Sequence, residues 1–103
     1  MKAIVRADVA LTNYQVRRRR YGGRVWLILH NEWFEIDGLF DYVWRCAQAA
    51  RCFEYVAMAA SRKFGWSLSE AVAGVSAAWV TLLKHGLVKI GHGSASVVQD
   101  ARE

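Results

Sequence analysis

The chain changes its hydrophobic period near residue 37. Before that point, short runs of strand length are separated by turn residues; after it, apolar side chains return every three or four positions. The first pattern suits strands and the second suits amphipathic helices. The strand-like runs are 16–21, 25–30 and 33–36. Gly22 and Gly23 separate the first two, and a tight two-residue turn needs positive φ at both positions. Asn31 and Glu32 supply the next bend, so the three runs form an antiparallel meander. A further short edge strand is expected around Val9, Ala10 and Leu11.

Three helices follow. Asp37 is a good N-cap, and Phe40, Val43, Trp44 and Ala47 carry the first helix to about residue 50. Phe53, Val56, Ala57, Ala60 and Phe64 form the stripe of the second helix. Gly65 suits a left-handed stop. Ser67 and Glu70 form a capping box at the start of the third helix. Leu68, Val72, Val75, Trp79, Leu82 and Leu83 continue it to about His85. Lys84 and His85 suit its negative dipole end, Gly86 stops it, and Leu87 and Val88 pack back beneath it. The pattern predicts an α+β fold, a three-stranded antiparallel sheet packed on three helices, with a winged-helix-turn-helix-like layout. Residues 1–14 form an N-terminal segment, 15–90 the domain, and 91–103 a flexible tail with Gly and Ser at its start.

The central strand is apolar on both faces. Val25, Leu27 and Leu29 point one way, Trp26 and Ile28 the other. One face covers the helices. The second needs a cover, either the N-terminal segment or a second copy of the chain in a homodimer. Arg17, Arg18, Arg19 and Arg20 fill the first strand and project two to each face. Their stems can lie on apolar surface with the guanidinium groups wet. They serve either as a solvated basic strand or as electrostatic contacts to an acidic partner.

Composition narrows the function classes. The chain has 103 residues, 54% of them hydrophobic, with five Trp. That is one domain with more apolar surface than a small core consumes. The net charge of +5 suits nucleic acid, an acidic peptide or an anionic surface. No apolar run reaches the ~20 residues of a membrane span, and Arg6 and Asp8 interrupt any signal-peptide pattern. Two cysteines, Cys46 and Cys52, without a secretion signal suit a reducing, cytoplasmic setting. His30, His85 and His92 are isolated, and Cys46 and Cys52 lack zinc spacing. Neither Gly22-Gly23 nor Gly91-His92-Gly93 is a phosphate loop. Glu32, Glu35, Asp37 and Asp41 read as turn, cap and surface groups. No catalytic residue, metal or cofactor is expected.

Phe34-Glu35-Ile36-Asp37, then Phe40, Val43 and Trp44, then Phe64-Gly65, then Leu82-Leu83-Lys84-His85-Gly86-Leu87 together resemble the PqqD-like family. The likeness spans roughly residues 16 to 88. Each piece is common alone, and their order and spacing agree together. The chain departs from the family at Ala50-Arg51-Cys52-Phe53, where Asp-Gly and a Thr cap are usual, and at Asp37, where Asn is usual. The resemblance implies a recognition element for ribosomally made precursor peptides. Such a domain binds the leader segment and delivers the core to a modifying enzyme, for example a radical SAM enzyme, a lasso-peptide protease and cyclase, or a cyclodehydratase. Carried onto this chain, the leader adds as a strand along Glu32, Trp33, Phe34, Glu35 and Ile36. It lies against the flank of the third helix near Val75, Ala78, Trp79 and Leu82.

Physical chemistry makes such a site plausible at this edge. An edge strand offers unpaired N–H and C=O groups to an extended peptide. Ala71, Ala73, Gly74, Ala77 and Ala78 thin one flank of the third helix; that either opens a trough or allows close helix packing. The rival is a winged-helix DNA-binding protein, with Arg17–Arg20 and Arg24 as the wing. Its reading helix should expose Arg, Lys, Asn or Gln near its N-terminus. Ser67, Ser69 and Glu70 stand there instead, which argues against nucleic acid.

Overall fold

Two tight hairpins organise the first half of the chain. The computed structural model describes residues 7–91. Strand β1 (Val9–Thr12) is followed by β2 (Arg17–Tyr21), β3 (Arg24–Leu29) and β4 (Glu32–Ile36). Then come helices α1 (Gly38–Gln48), α2 (Phe53–Phe64) and α3 (Leu68–Lys84), and a last strand β5 (Val88–Gly91). β2, β3 and β4 form a three-stranded antiparallel sheet in that order. Gly22 and Gly23 make the first turn with φ of 63° and 77°; His30 and Asn31 make the second with 52° and 67°. The second bend therefore sits one residue earlier than the pattern suggested, and β4 starts at Glu32. Positive φ at both central positions is what the type I′ hairpin turn requires, and Asn tolerates it better than most residues.

The N-terminal strand is present but pairs elsewhere. β1 joins β5 in a separate two-stranded antiparallel sheet. It packs on α1 rather than on the outer face of β3. Val9 also bridges to Cys52, and the amide of Phe53 donates to the carbonyl of Asp8 at 2.8 Å. That bond satisfies the first amide of α2, a helix whose N-cap residue, Cys52, makes no side-chain cap bond. A main-chain carbonyl thus takes one of the orphan amides of the helix start. α1 ends earlier than residue 50, at Gln48, and Ala50 turns the chain with φ 55°. The flexible tail expected over 91–103 lies, from residue 92 onward, outside the described residues, as do residues 1–6.

The remaining helix signals act as their chemistry dictates. Asp37 accepts from the amide of Phe40 at 2.9 Å. The Ser67–Glu70 capping box is complete, and Gly65 takes the left-handed conformation that closes α2. The core joins Leu27, Leu29 and Ile36 of the sheet to Val43 and Trp44 of α1, Val56 and Ala60 of α2, and Val75, Trp79 and Leu82 of α3. Leu68, Val72 and Leu83 are exposed, so the buried stripe of α3 runs through Ala71, Val75, Ala78, Trp79 and Leu82. The small residues divide. Ala71 and Ala78 are fully buried, which is close helix packing, while a Cβ on Gly74 would sit 3.3 Å from the Trp66 ring. No single helix among the described residues is long and apolar enough to cross a membrane.

Candidate functional site: a strand edge beside a trough

β4 is an outer strand of its sheet. The two-residue turn makes Leu29 and Glu32 a hydrogen-bonded pair, and bonded and non-bonded pairs then alternate. By the register, Glu32, Phe34 and Ile36 bond to Leu29, Leu27 and Val25 of β3. The amides and carbonyls of Trp33 and Glu35 consequently face outward. The hairpin at Gly22-Gly23 sets the same alternation independently, with Arg24, Trp26 and Ile28 bonded to β2. Among the described residues, no strand pairs with the outward edge of β4.

Beside that edge lies a trough of about 540 Å³. Trp33 to Asp37 form one wall, Phe40 of α1 and Leu87 close it, and Thr81, Leu82 and His85 supply the wall from α3. Phe34 points inward and its ring sits 4.9 Å from the His85 ring. The end of α3 is tied down. Gly86 breaks the helix with φ 73°, the Leu87 amide donates to the carbonyl of Leu82 at 2.9 Å, and Asn13 Nδ2 donates to the carbonyl of Gly86 at 3.0 Å. These bonds hold Leu87 and His85 in place without a ligand.

The structure sorts the residues read from sequence. Trp33, Phe34, Glu35, Ile36 and Leu82 line the trough. Glu32 begins the strand but does not line the cavity. Val75, Ala78 and Trp79 are corrected: they are at most 1% exposed and belong to the core beneath. An apolar stripe on a helix looks the same whether it faces a groove or a core, and here the helices claimed it. Phe40, Thr81, His85 and Leu87 were not picked out. Thr81 and His85 are four residues apart, so they share one helix face, and that face borders the stripe ending at Leu82.

The opposite sheet edge, β2, differs in kind. Arg18 donates to both carboxylate oxygens of Asp41 at 2.7 and 3.0 Å. This pairing, then the charges of Arg45 and Arg20, holds the Asp41 carboxyl below its ordinary value against the opposing effect of burial. Arg19 donates to the carbonyl of Arg18 at 3.0 Å. By the alternation above, that carbonyl is one of the outward acceptors of β2. A strand of four Arg with an outward acceptor already taken is a guarded edge; among the described residues no side chain bonds to the outward groups of β4. Elsewhere, burial pushes the thiol of Cys46 up, so it is not a ready nucleophile. Among the described residues no group of three or more His, Cys, Asp and Glu could hold a metal ion.

No protein-family model matches the chain. No curated protein and no solved structure matches it either.

Proposed function

We propose that this chain is a non-catalytic peptide-recognition module. It takes an extended peptide as a fourth strand along β4, through the outward amides and carbonyls of Trp33 and Glu35. Alternate side chains of that peptide enter the trough between β4 and the end of α3. The main-chain bonds supply affinity that is tolerant of sequence, and the trough supplies selectivity. The observation that carries the reading is the coincidence of an unpaired strand edge with a trough of mixed apolar and polar lining, on a molecule whose other sheet edge is guarded. The resemblance to the PqqD-like family names the peptide: the leader of a ribosomally made precursor, held for a modifying enzyme.

A second reading has one feature in its favour. α2 and α3 meet across a short break at 117°, within the range of helix-turn-helix pairs, which also supports the winged-helix-turn-helix-like layout. In a DNA-binding domain α3 would enter the major groove, yet its first turn is Leu68, Ser69 and Glu70. That turn carries no base-reading cation and one carboxylate that would face phosphate.

Titration of isotope-labelled protein with a synthetic leader, from the precursor encoded nearest this chain, tests the choice. Amide shifts confined to β4, residues 81–87 and Phe40 are the expected result. Shifts along residues 17–24 with duplex DNA, and affinity falling steeply with salt, would favour the second reading.

A further inference from the structure

The outer face of the β2-β3-β4 sheet meets the edge and the trough only along Trp33 and Glu35. The three strands are in register, so their residues form levels. Arg17, Ile28 and Trp33 share one level; Arg19, Trp26 and Glu35 share the next. Trp33 is 51% exposed and Tyr21 70%. Trp33 stands edge-on to Trp26 at 5.8 Å and to Tyr21 at 6.3 Å. Glu35 holds Arg24 at 2.9 Å. Among the described residues, Arg17 and Arg19 form no ion pair with a carboxylate. The face therefore has, on its β2 margin, two cations without a carboxylate partner among the described residues, half-buried apolar side chains along β3, and on its β4 margin an aromatic ring and the carboxylate that Arg24 shares.

We infer that this face packs against a second copy of the chain, across a two-fold axis that runs along β3. The axis turns each copy so that its β2 lies over the other's β4 at the same level. Arg17 then covers the ring of the partner's Trp33, a cation–π arrangement. Arg19 meets the partner's Glu35. Ile28 and Trp26 meet their own counterparts at the axis, as an isologous interface requires. An axis across the strands would instead stack the arginine strands on each other, at a cost from like charge. Single-stranded nucleic acid is a poorer occupant, because the Trp26 and Trp33 rings are inclined at 71° and cannot both lie flat beneath stacked bases. The face is small, on the order of 15 by 17 Å from strand spacing and rise. That is below a standard interface, so the dimer is weak and dissociates in the micromolar range. It leaves the outward edge of β4 uncovered, and it does not depend on the peptide reading.

Sedimentation equilibrium of the full chain, from about 1 µM to about 0.5 mM, tests it. The expected mass rises with concentration from 11.7 kDa towards twice that value. Ile28→Glu abolishes the rise with an unchanged far-UV circular dichroism spectrum. Arg19→Glu alone and Glu35→Arg alone each weaken association by about tenfold, and combining them in one chain restores it, since each copy then meets the swapped charge. The charge pair keeps the test decisive if Ile28→Glu does not fold. A monomer throughout the range, or a double reversal no better than either single one, overturns the inference. So does a monomer that binds a single-stranded oligonucleotide through Trp26 and Trp33.

Discussion

Replacing Glu35 by proline removes one outward amide of β4 and leaves the ladder to β3 intact. The register bonds Phe34 and Ile36 to β3 and turns Trp33 and Glu35 to the open side, so the proline nitrogen replaces a donor that only an added strand would use. Proline is tolerated on an edge strand when its nitrogen faces solvent. One lost hydrogen bond is worth about 0.5–1.5 kcal/mol net, or about two- to tenfold in dissociation constant. The ring also fills the space where the incoming carbonyl would sit, which places the expected loss at the upper end. Glu35→Ala is the matched control: it loses the same carboxylate and the same bond to Arg24 but keeps the amide.

Phe34→Pro supplies the contrast. Its nitrogen faces β3, so it breaks a ladder bond, and it also removes the ring that packs against His85. Loss of both is expected to cost about 2–4 kcal/mol. Anisotropy of a fluorescent leader peptide reads binding, and urea unfolding followed by tryptophan emission reads stability. The expected order is near-native stability with weakened binding for Glu35→Pro, near-native behaviour in both for Glu35→Ala, and lost stability for Phe34→Pro. Equal affinity of Glu35→Pro and Glu35→Ala refutes strand addition at this edge. Equal destabilisation by the two proline variants refutes the assignment of outward amides.

Other variants probe the frame that holds the site. Asp41→Asn breaks a bidentate, partly buried pair with Arg18 and should cost about 1–2 kcal/mol at neutral pH. Asp41 has a folded-state carboxyl value lowered from 3.8, so its contribution is full above that value. It is lost as pH falls through the lower folded value, and the gap between native and variant unfolding free energies should close below about pH 4. Trp79 is buried, and its indole N–H has no partner among the described residues. Trp79→Phe sheds that orphan donor along with some volume and should cost under about 1.5 kcal/mol, whereas Trp79→Ala should cost about 3–5 kcal/mol in urea unfolding. Ser67→Ala dismantles the capping box of α3 and should lower stability by about 1 kcal/mol in thermal melts.

Much of this frame is written locally. The glycine turn at Gly22-Gly23, the Asp37 cap, the Ser67–Glu70 box and the stops at Gly65 and Gly86 each act within a few residues, so a linear reading finds them. The β1–β5 sheet is different. It joins Val9 to Gly91, and the brief alternation of Val88, Lys89 and Ile90 is too short to mark a strand by itself. The start of α2 shows the same limit, because the acceptor for its first amide is a main-chain carbonyl at Asp8 that no side-chain pattern encodes. The trough was half legible for a related reason. Trp33 to Ile36 alternate and form an edge, which sequence period can express. Thr81 and His85 are ordinary polar residues on the border between core and solvent, and only the packed position of β4 against α3 makes them a wall.

β4 can present three separate surfaces because a strand has three independent directions. Its inward side chains, Phe34 and Ile36, anchor it to the core and form the trough wall. Its outward side chains, Trp33 and Glu35, belong to the sheet face, and the backbone of those same two residues forms the edge. Side-chain substitution at Trp33 or Glu35 therefore acts on the sheet face and on the trough wall that these residues share, while removal of the amide acts chiefly on the edge. Substitution at Phe34 reaches the trough and the core together. The separation explains how an unpaired edge can coexist with stable folding. Register is held by the inward set, since a slip by one residue would put Trp33 and Glu35 into the core, and the burial of a carboxylate there would be costly. The outward amides are thus spared any structural duty, which leaves them free for an extended ligand.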